Sequence, residues 1–156
     1  SKTFGNRVDT LYHAEKNNKS VSFPRTSPDG RFLMITLSDH ATFPIWHQEA
    51  DLWMIDLQNG NKPIRLDALN SPSVESYHSW SSNGRWVVFS SRREDGLYTR
   101  PYITYIAADG TPGKPFVVPQ ERGDFYRECM TSFNIPELVK GKVEVERYQL
   151  LQNYCS

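Results

Sequence analysis

One internal repeat constrains this chain more than any other feature of its sequence. The segment Ser27–Arg31 (Ser-Pro-Asp-Gly-Arg) returns 54 residues later as Ser81–Arg85 (Ser-Ser-Asn-Gly-Arg), and each copy precedes a short apolar run. Asp-Gly and Asn-Gly steps are typical of tight hairpin turns, because their glycine accepts a positive φ. We therefore interpret four residues as structural turn residues between antiparallel strands: Asp29, Gly30, Asn83 and Gly84.

The apolar runs that follow the two turns predict how the strands pack. Phe32–Ile35 and Trp86–Phe89 are apolar at consecutive positions. Neighbouring side chains of a β-strand point to opposite faces, so both faces of these strands must be buried. Each unit contains further strand-like segments and Gly turns, which predicts four antiparallel strands per unit. Four-stranded sheets that are covered on both faces and repeat about every fifty residues are typical of stacked blades.

The same residues carry a resemblance to a known family. Ser27–Arg31 with its apolar strand, followed by Asp51–Leu57 (Asp-Leu-Trp-Met-Ile-Asp-Leu), resembles the TolB-like (WD-repeat-like) β-propeller repeat family over residues 20–119. The second unit departs from the family pattern, because Ser-Asn-Gly-Arg replaces Pro-Asp-Gly-Arg. Glu75–Arg100 is similar to a subgroup of exported bacterial proteins of this type. The resemblance implies an all-β fold, and a periplasmic or otherwise exported protein.

The repeat boundaries predict the organisation of the chain. We expect a partial β-propeller of about two complete four-stranded blades, over 21–70 and 71–119, within a single domain. Residues 1–20 are expected to end a preceding blade, and 120–156 to form a short C-terminal helix and a tail. Asp124 is expected to cap this helix, which would reach about Ser132, and the alternation over 142–147 predicts an edge strand. We therefore expect the chain to be the C-terminal portion of a longer propeller, and exposed blade faces would favour self-association. The alternative is a self-contained small β domain that uses the same turns.

Composition excludes several classes of protein. Eighteen basic residues balance eighteen acidic ones, so no net charge attracts nucleic acid or an anionic membrane surface. The apolar runs are far shorter than the roughly twenty residues of a transmembrane helix. Cys129 and Cys155 stand in no Cys-x-x-Cys spacing, so zinc ribbons and thioredoxin-like sites are excluded. Whether these two cysteines pair stays open.

The first candidate ligand-binding loop follows the second strand of the first unit. It contributes four candidate residues: His40, Trp46, His47 and Glu49. A Trp beside an imidazole and a carboxylate suits a sugar ring or a peptide carbonyl. In the alternative interpretation, the Trp fills the blade interface and the second His binds a backbone carbonyl. His47-x-Glu49-x-Asp51 also has metal-ligand spacing, but no second cluster supports it, so we expect no metal.

The second candidate loop occupies the equivalent place in the second unit. It contributes five candidate residues: Arg92, Arg93, Asp95, Tyr98 and Arg100. Three guanidinium groups so close together suit a carboxylate or a phosphate. In the alternative interpretation, Glu94 and Asp95 neutralise the arginines within a solvated turn.

Catalytic motifs are weak or absent. The chain contains no Gly-x-Ser-x-Gly elbow and no Gly-rich phosphate loop, so we expect no catalytic residue and no cofactor. His78 and Ser79 are neighbours on a strand and point to opposite faces, which excludes direct proton transfer between them. We interpret His78 and Ser81 as polar ties that hold a blade.

These observations favour a non-catalytic binding module. The leading hypothesis is a propeller that binds a protein or peptide partner through its rim in the bacterial cell envelope. The alternative is a glycan-handling or hydrolytic propeller with its chemistry in the rim loops or in a missing domain. A third hypothesis is the regulatory gate of a peptidase.

Overall fold

The described part of the protein contains two four-stranded antiparallel β-sheets and one short α-helix. The structure, a computed structural model, describes residues 8–40, 43–142 and 144. The strands of the first sheet are β1 (Ser20–Thr26), β2 (Phe32–Ser38), β3 (Asp51–Asp56) and β4 (Pro63–Arg65). The strands of the second sheet are β5 (Glu75–Trp80), β6 (Trp86–Ser91), β7 (Arg100–Tyr105) and β8 (Phe116–Val117).

Each sheet is a meander in which strands adjacent in sequence pair side by side. This confirms the predicted all-β class and the four-stranded antiparallel sheets. None of the helices among the described residues is long and apolar enough to cross a membrane.

The C-terminal helix is shorter than the sequence suggests. α1 spans only Phe125–Glu128, and Asp124 at its start makes no side-chain capping bond. Both carboxylate oxygens of Asp124 instead accept hydrogen bonds from Arg122, at 3.1 and 2.9 Å. The cap that would favour a longer helix is therefore engaged elsewhere. Cys155 and most of a predicted edge strand over 142–147 lie outside the described residues.

The two repeated turns are built from the same hydrogen bonds. The backbone N–H of Gly30 donates to Ser27 O at 2.8 Å, and that of Gly84 to Ser81 O at 2.9 Å. In each turn the serine hydroxyl accepts from the first residue of the next strand, at 2.9 Å in both cases. Gly30 and Gly84 have φ values of 73° and 67°. The 54-residue repeat in sequence is thus a repeat of turn geometry.

Apolar side chains between the sheets form the main core. The facing side chains of the two sheets form one buried cluster: Phe32, Met34, Leu52, Met54, Leu66, Leu69, Val87, Phe89, Tyr102 and Ile106. The alternate residues of the first sheet point the other way, and Ile35, Leu37 and Ile55 form a second buried cluster. β2 is therefore buried on both faces, as its consecutive apolar residues predict.

Segments outside the sheets cover their outer faces. Leu11 and Tyr12 pack on the outer face of the first sheet. Residues 8–12 form no strand in the structure, so the blade end expected in this part of the chain is not observed there. On the second sheet, the Ser90 hydroxyl lies 3.1 Å from Phe133 O and 2.6 Å from Asn134 O, which places the C-terminal segment across that face.

The strands β1 and β5 meet through two equivalent bulges. The pairing register shifts between Ser22 and Arg25 in the first sheet, and between Ser76 and Ser79 in the second. Each bulge holds an aromatic residue at φ 52°, Phe23 and Tyr77. Their ring centroids lie 4.7 Å apart. The bulges therefore turn two aromatic side chains toward each other.

A buried histidine ties the second sheet to the first. His78 is in β5, and its Nε2 lies 3.0 Å from the carbonyl oxygen of Met34 in β2. A carbonyl oxygen only accepts, so Nε2 carries the proton. Burial away from water lowers the pKa of His78 to about 4, because the charged imidazolium is disfavoured there. This contact is a polar tie of the kind that the sequence suggests for this residue.

The tip of the β7–β8 turn packs into the core between the sheets. Gly110 lies there at φ 92°, and a Cβ on it would come within 2.8 Å of Phe32 Cε1 and 3.1 Å of Met54 Cε. The guanidinium of Arg31 reaches the same turn and donates to Ala108 O at 2.8 Å. Glycine is required at this position by both its φ and its neighbours.

We expect Gly110→Ala to lower the free energy of unfolding by about 1–3 kcal/mol more than Gly60→Ala does. Gly60 has a similar φ of 81° but nothing within 4 Å of an added Cβ, so it measures the backbone cost alone. Urea denaturation followed by circular dichroism measures both variants. Equal losses would contradict the close packing at Gly110.

His78 makes stability depend on pH. In the unfolded chain the imidazole of His78 takes up a proton near pH 6.5, whereas in the folded protein it stays neutral down to about pH 4. Stability therefore falls as the pH decreases through this window, with about 3 kcal/mol arising from this group. We expect His78→Gln to lose correspondingly less stability between pH 7 and pH 4 in urea denaturation. His13→Ala, at an exposed site, should retain the wild-type slope; an unchanged slope in His78→Gln would refute the assignment.

Candidate functional site

Two long loops lie side by side at one end of the packed sheets. They are the β2–β3 loop (39–50) and the β6–β7 loop (92–99). In a meander, the loops after the second strand of each sheet emerge at the end opposite the two repeated turns. The sheets pack face to face, so the two loops meet. A cation–π contact joins Trp46 in the first loop to Arg92 in the second.

Trp46 is held on the surface. It ends a 3-10 helix (Pro44–Trp46) whose first two residues are buried, and its own side chain is 73% exposed. Pro44 and Ile45 anchor the helix, so Trp46 is directed outward. The interpretation that Trp46 fills the interface between the units is therefore wrong.

Arg92 covers one face of the Trp46 ring. The guanidinium carbon lies 4.4 Å from the ring centroid, within the range of a cation–π contact. Its Nε is buried and has no hydrogen-bond partner among the residues that the structure describes. Beside it is a cavity of about 210 Å³, lined in part by Ile45, Gln48 and Val74. The cationic side chain of Arg92 also lines this cavity, so a polar ligand there would lie beside a positive charge.

Three other candidate residues of the β2–β3 loop form a cluster. His40, His47 and Glu49 each offer a ligand atom within 4.8 Å of the others. His47 Nδ1 lies 3.4 Å from Glu49 Oε1, and the imidazole centroids of His40 and His47 are 4.9 Å apart. Asp51, which the sequence spacing suggests as the third ligand, instead forms a bidentate ion pair with Arg65 at 2.8 and 3.0 Å.

Arg93 points into the protein, away from its neighbour Arg92. It donates to Leu69 O and pairs at 3.0 Å with Glu75, whose side chain is fully buried. Burial keeps the pKa of Glu75 above its usual value, although hydrogen bonds from Ser71 and Ser91 and the charge of Arg93 oppose this shift. Sequence reasoning missed Glu75, because its partners come from distant segments and form no local pattern.

The aromatic ring of Tyr102 lies beneath Arg93 and extends this network. The guanidinium carbon of Arg93 is 4.5 Å from the ring centroid. The Tyr102 hydroxyl donates to a carboxylate oxygen of Glu94. Burial and this neighbouring carboxylate raise the pKa of the Tyr102 hydroxyl. Glu94 therefore binds a tyrosine, whereas Asp95 Oδ2 lies 3.9 Å from Arg100 Nη2. The alternative interpretation, in which both acidic residues neutralise the arginines, is supported for Asp95 alone among the contacts of the described residues.

Arg100 holds the C-terminal segment. It is only 2% exposed, and it donates to the carbonyl oxygens of Thr131, Tyr126 and Cys129 at 2.7–2.8 Å. Tyr98 lies on one side of it, with its ring centroid 5.1 Å from the guanidinium carbon. These contacts give Arg100 a structural function; ligand binding by Arg100 and Tyr98 stays a prediction.

Asp95 organises the β6–β7 loop. Its Oδ1 accepts hydrogen bonds from the backbone N–H groups of Leu97 and Tyr98, both at 2.8 Å. Burial raises the pKa of Asp95, but these donors and the charge of Arg100 outweigh it and bring the pKa below the usual value. Ligand binding by Asp95 stays a prediction as well.

The structure thus divides the predicted residues into two groups. A surface group is brought together at the loop end: His40, Trp46, His47, Glu49 and Arg92. A second, inner group holds the β6–β7 loop in place: Arg93 and Arg100 point into the protein with Tyr98 beside Arg100, and Asp95, itself exposed, binds the backbone of the loop. Sequence reasoning missed Phe43 and Leu97, which are exposed apolar residues in the same two loops. Their only signal was an apolar side chain within a loop.

Comparison with known proteins finds no protein-family model that matches the chain and no curated protein with significant sequence similarity to it. Functional assignment therefore depends on the residues themselves.

Adjacent arginines should respond differently to truncation. We expect Arg93→Ala to lower the free energy of unfolding by about 3 kcal/mol or more, because it leaves the carboxylate of Glu75 buried without its cation. Arg92→Ala should change it by less than about 1 kcal/mol, because Arg92 makes a surface contact. Urea denaturation of both variants at pH 7 measures the difference. Similar values would contradict the division between inner and surface residues.

Proposed function

We propose that this protein is a non-catalytic β-propeller-type binding module that recognises a protein or peptide partner through the loop end of its two sheets. The observation that carries the proposal is the exposed Trp46 stacked against Arg92 of the neighbouring loop. Trp and Arg dominate the binding energy of protein interfaces. Here they form one preassembled pair.

The surroundings of this pair support a peptide ligand. Phe43 and Leu97 add exposed apolar surface in the same loops. The cationic guanidinium group of Arg92, which lies on the Trp46 ring, suits a peptide carbonyl or carboxylate oxygen. An apolar rim with one cation offers both contact area and orientation to an extended peptide.

The propeller assignment rests on the repeat and on the arrangement of the sheets. Two consecutive meanders of four strands pack face to face, and each begins with an equivalent bulged strand. Such meanders are the units that propellers repeat around an axis. The resemblance to TolB-like repeats adds the bacterial cell envelope as the proposed location. Blade identity, location and partner class all belong to this proposal.

Peptide selection tests the proposed function. Peptides are selected from a random display library on the immobilised protein, and the dissociation constant of each is measured by fluorescence anisotropy. We expect Trp46→Ala and Arg92→Ala each to weaken binding by about 30-fold or more, because each removes a central contact.

Two control variants lie at the opposite end of the sheets. Arg85→Ala, in the second repeated turn, and Tyr105→Ala, at the end of β7, should bind the selected peptides as the wild type does. If the library yields no peptide, or if Trp46→Ala binds as tightly as the wild type, the proposal is wrong. A change in tryptophan fluorescence with saccharides alone would favour the glycan-handling alternative.

A further inference from the structure

A second cluster of polar side chains lies in the β2–β3 loop, and it involves residues other than the Trp46–Arg92 pair. Two imidazoles and one carboxylate converge there, from His40, His47 and Glu49. The three residues are separated by up to nine positions in sequence, so their convergence is produced by the fold of the loop and not by a strand or helix repeat. We propose that they bind a divalent transition-metal ion, Zn²⁺.

The distances fit a metal of this size. Ligand atoms bound to a tetrahedral Zn²⁺ at about 2.0–2.1 Å lie about 3.4 Å from one another. His47 Nδ1 and Glu49 Oε1 are 3.4 Å apart, which is one such edge. The third ligand atom, from His40, lies within 4.8 Å of both. His40 is exposed, so a rotation of its side chain closes the remaining distance without disturbing the core.

Backbone hydrogen bonds hold the part of the loop from His47 to Ala50. The N–H of His47 donates to Pro44 O at 2.9 Å, and the N–H of Ala50 donates to His47 O at 3.0 Å. The carbonyl of Ala50 in turn accepts from Glu75 in the second sheet at 2.9 Å. Two of the three ligands are therefore held in place before any metal binds, which lowers the entropic cost of binding.

The donor set selects the kind of ion. Imidazole nitrogens with one carboxylate suit zinc and its neighbours, whereas Ca²⁺ and Mg²⁺ require oxygen ligands. Glu49 Oε1 is buried and has no hydrogen-bond partner among the described residues, and a bound cation would compensate it. Three protein ligands leave a fourth position open for water or for a donor from a partner.

Calorimetric titration of the untagged protein with zinc chloride tests the site. We expect one equivalent of zinc to bind, and His40→Ala, His47→Ala and Glu49→Gln each to weaken the affinity by at least about 100-fold, since even an outer-shell partner of a metal ligand is worth about 10–100-fold. His13→Ala, which replaces an exposed histidine outside the loop, should bind zinc as the wild type does.

Cobalt provides an independent readout. Co²⁺ in the site should show the visible absorption of a tetrahedral complex without a thiolate charge-transfer band, which distinguishes it from binding at Cys129 or Cys155. The proposal is overturned if the wild type binds no zinc, if the three ligand variants bind as tightly as His13→Ala, or if the thiolate band appears.

Because His40 is exposed, His40→Ala should fold normally, and circular dichroism verifies this. Peptide binding at Trp46 is measured separately, so either site can fail alone.

Discussion

The burial of β2 and β6 between other layers is the constraint on which the rest of the structure depends. Met34 of β2 points toward the second sheet, and Phe89 of β6 points toward the first. Their neighbours Ile35 and Val88 point away from the other sheet and are buried as well. The two sheets are thereby held face to face with their strand ends aligned. Loops that are about fifty residues apart in sequence then emerge at the same end, and Trp46 meets Arg92.

Polar ties fix the alignment that the apolar core permits. Arg31 reaches Ala108 O at one end of the sheets, His78 reaches Met34 O in the middle, and Arg93 reaches Leu69 O at the loop end. The bonds of His78 and Arg93 satisfy carbonyls of the buried residues Met34 and Leu69, whereas Ala108 lies at the surface. Apolar contacts alone tolerate small shifts between the sheets. Hydrogen bonds to carbonyls weaken with such shifts, because they depend on distance and angle.

Local rules predicted the strands and turns but not the direction of individual side chains. The Asp-Gly and Asn-Gly turns and the consecutive apolar runs depend on neighbouring residues, so sequence was sufficient for the four-stranded sheets. The directions of Trp46, Arg93 and Asp51 depend on contacts with other segments of the chain. Ile45, next to Trp46, packs with Val74; Arg93 pairs with the buried Glu75, and Asp51 with Arg65 on the next strand. Nothing in the local sequence specifies those partners.

The pair Arg92 and Arg93 shows how one chain segment serves both stability and recognition. Consecutive residues at a strand end point to opposite sides, so one guanidinium neutralises the buried Glu75 while the other lies on the exposed Trp46. The inner ion pair immobilises the backbone that carries the outer arginine. A partner that binds at Trp46 therefore meets a surface whose backbone is already ordered, and less of its binding energy is spent on ordering the loop.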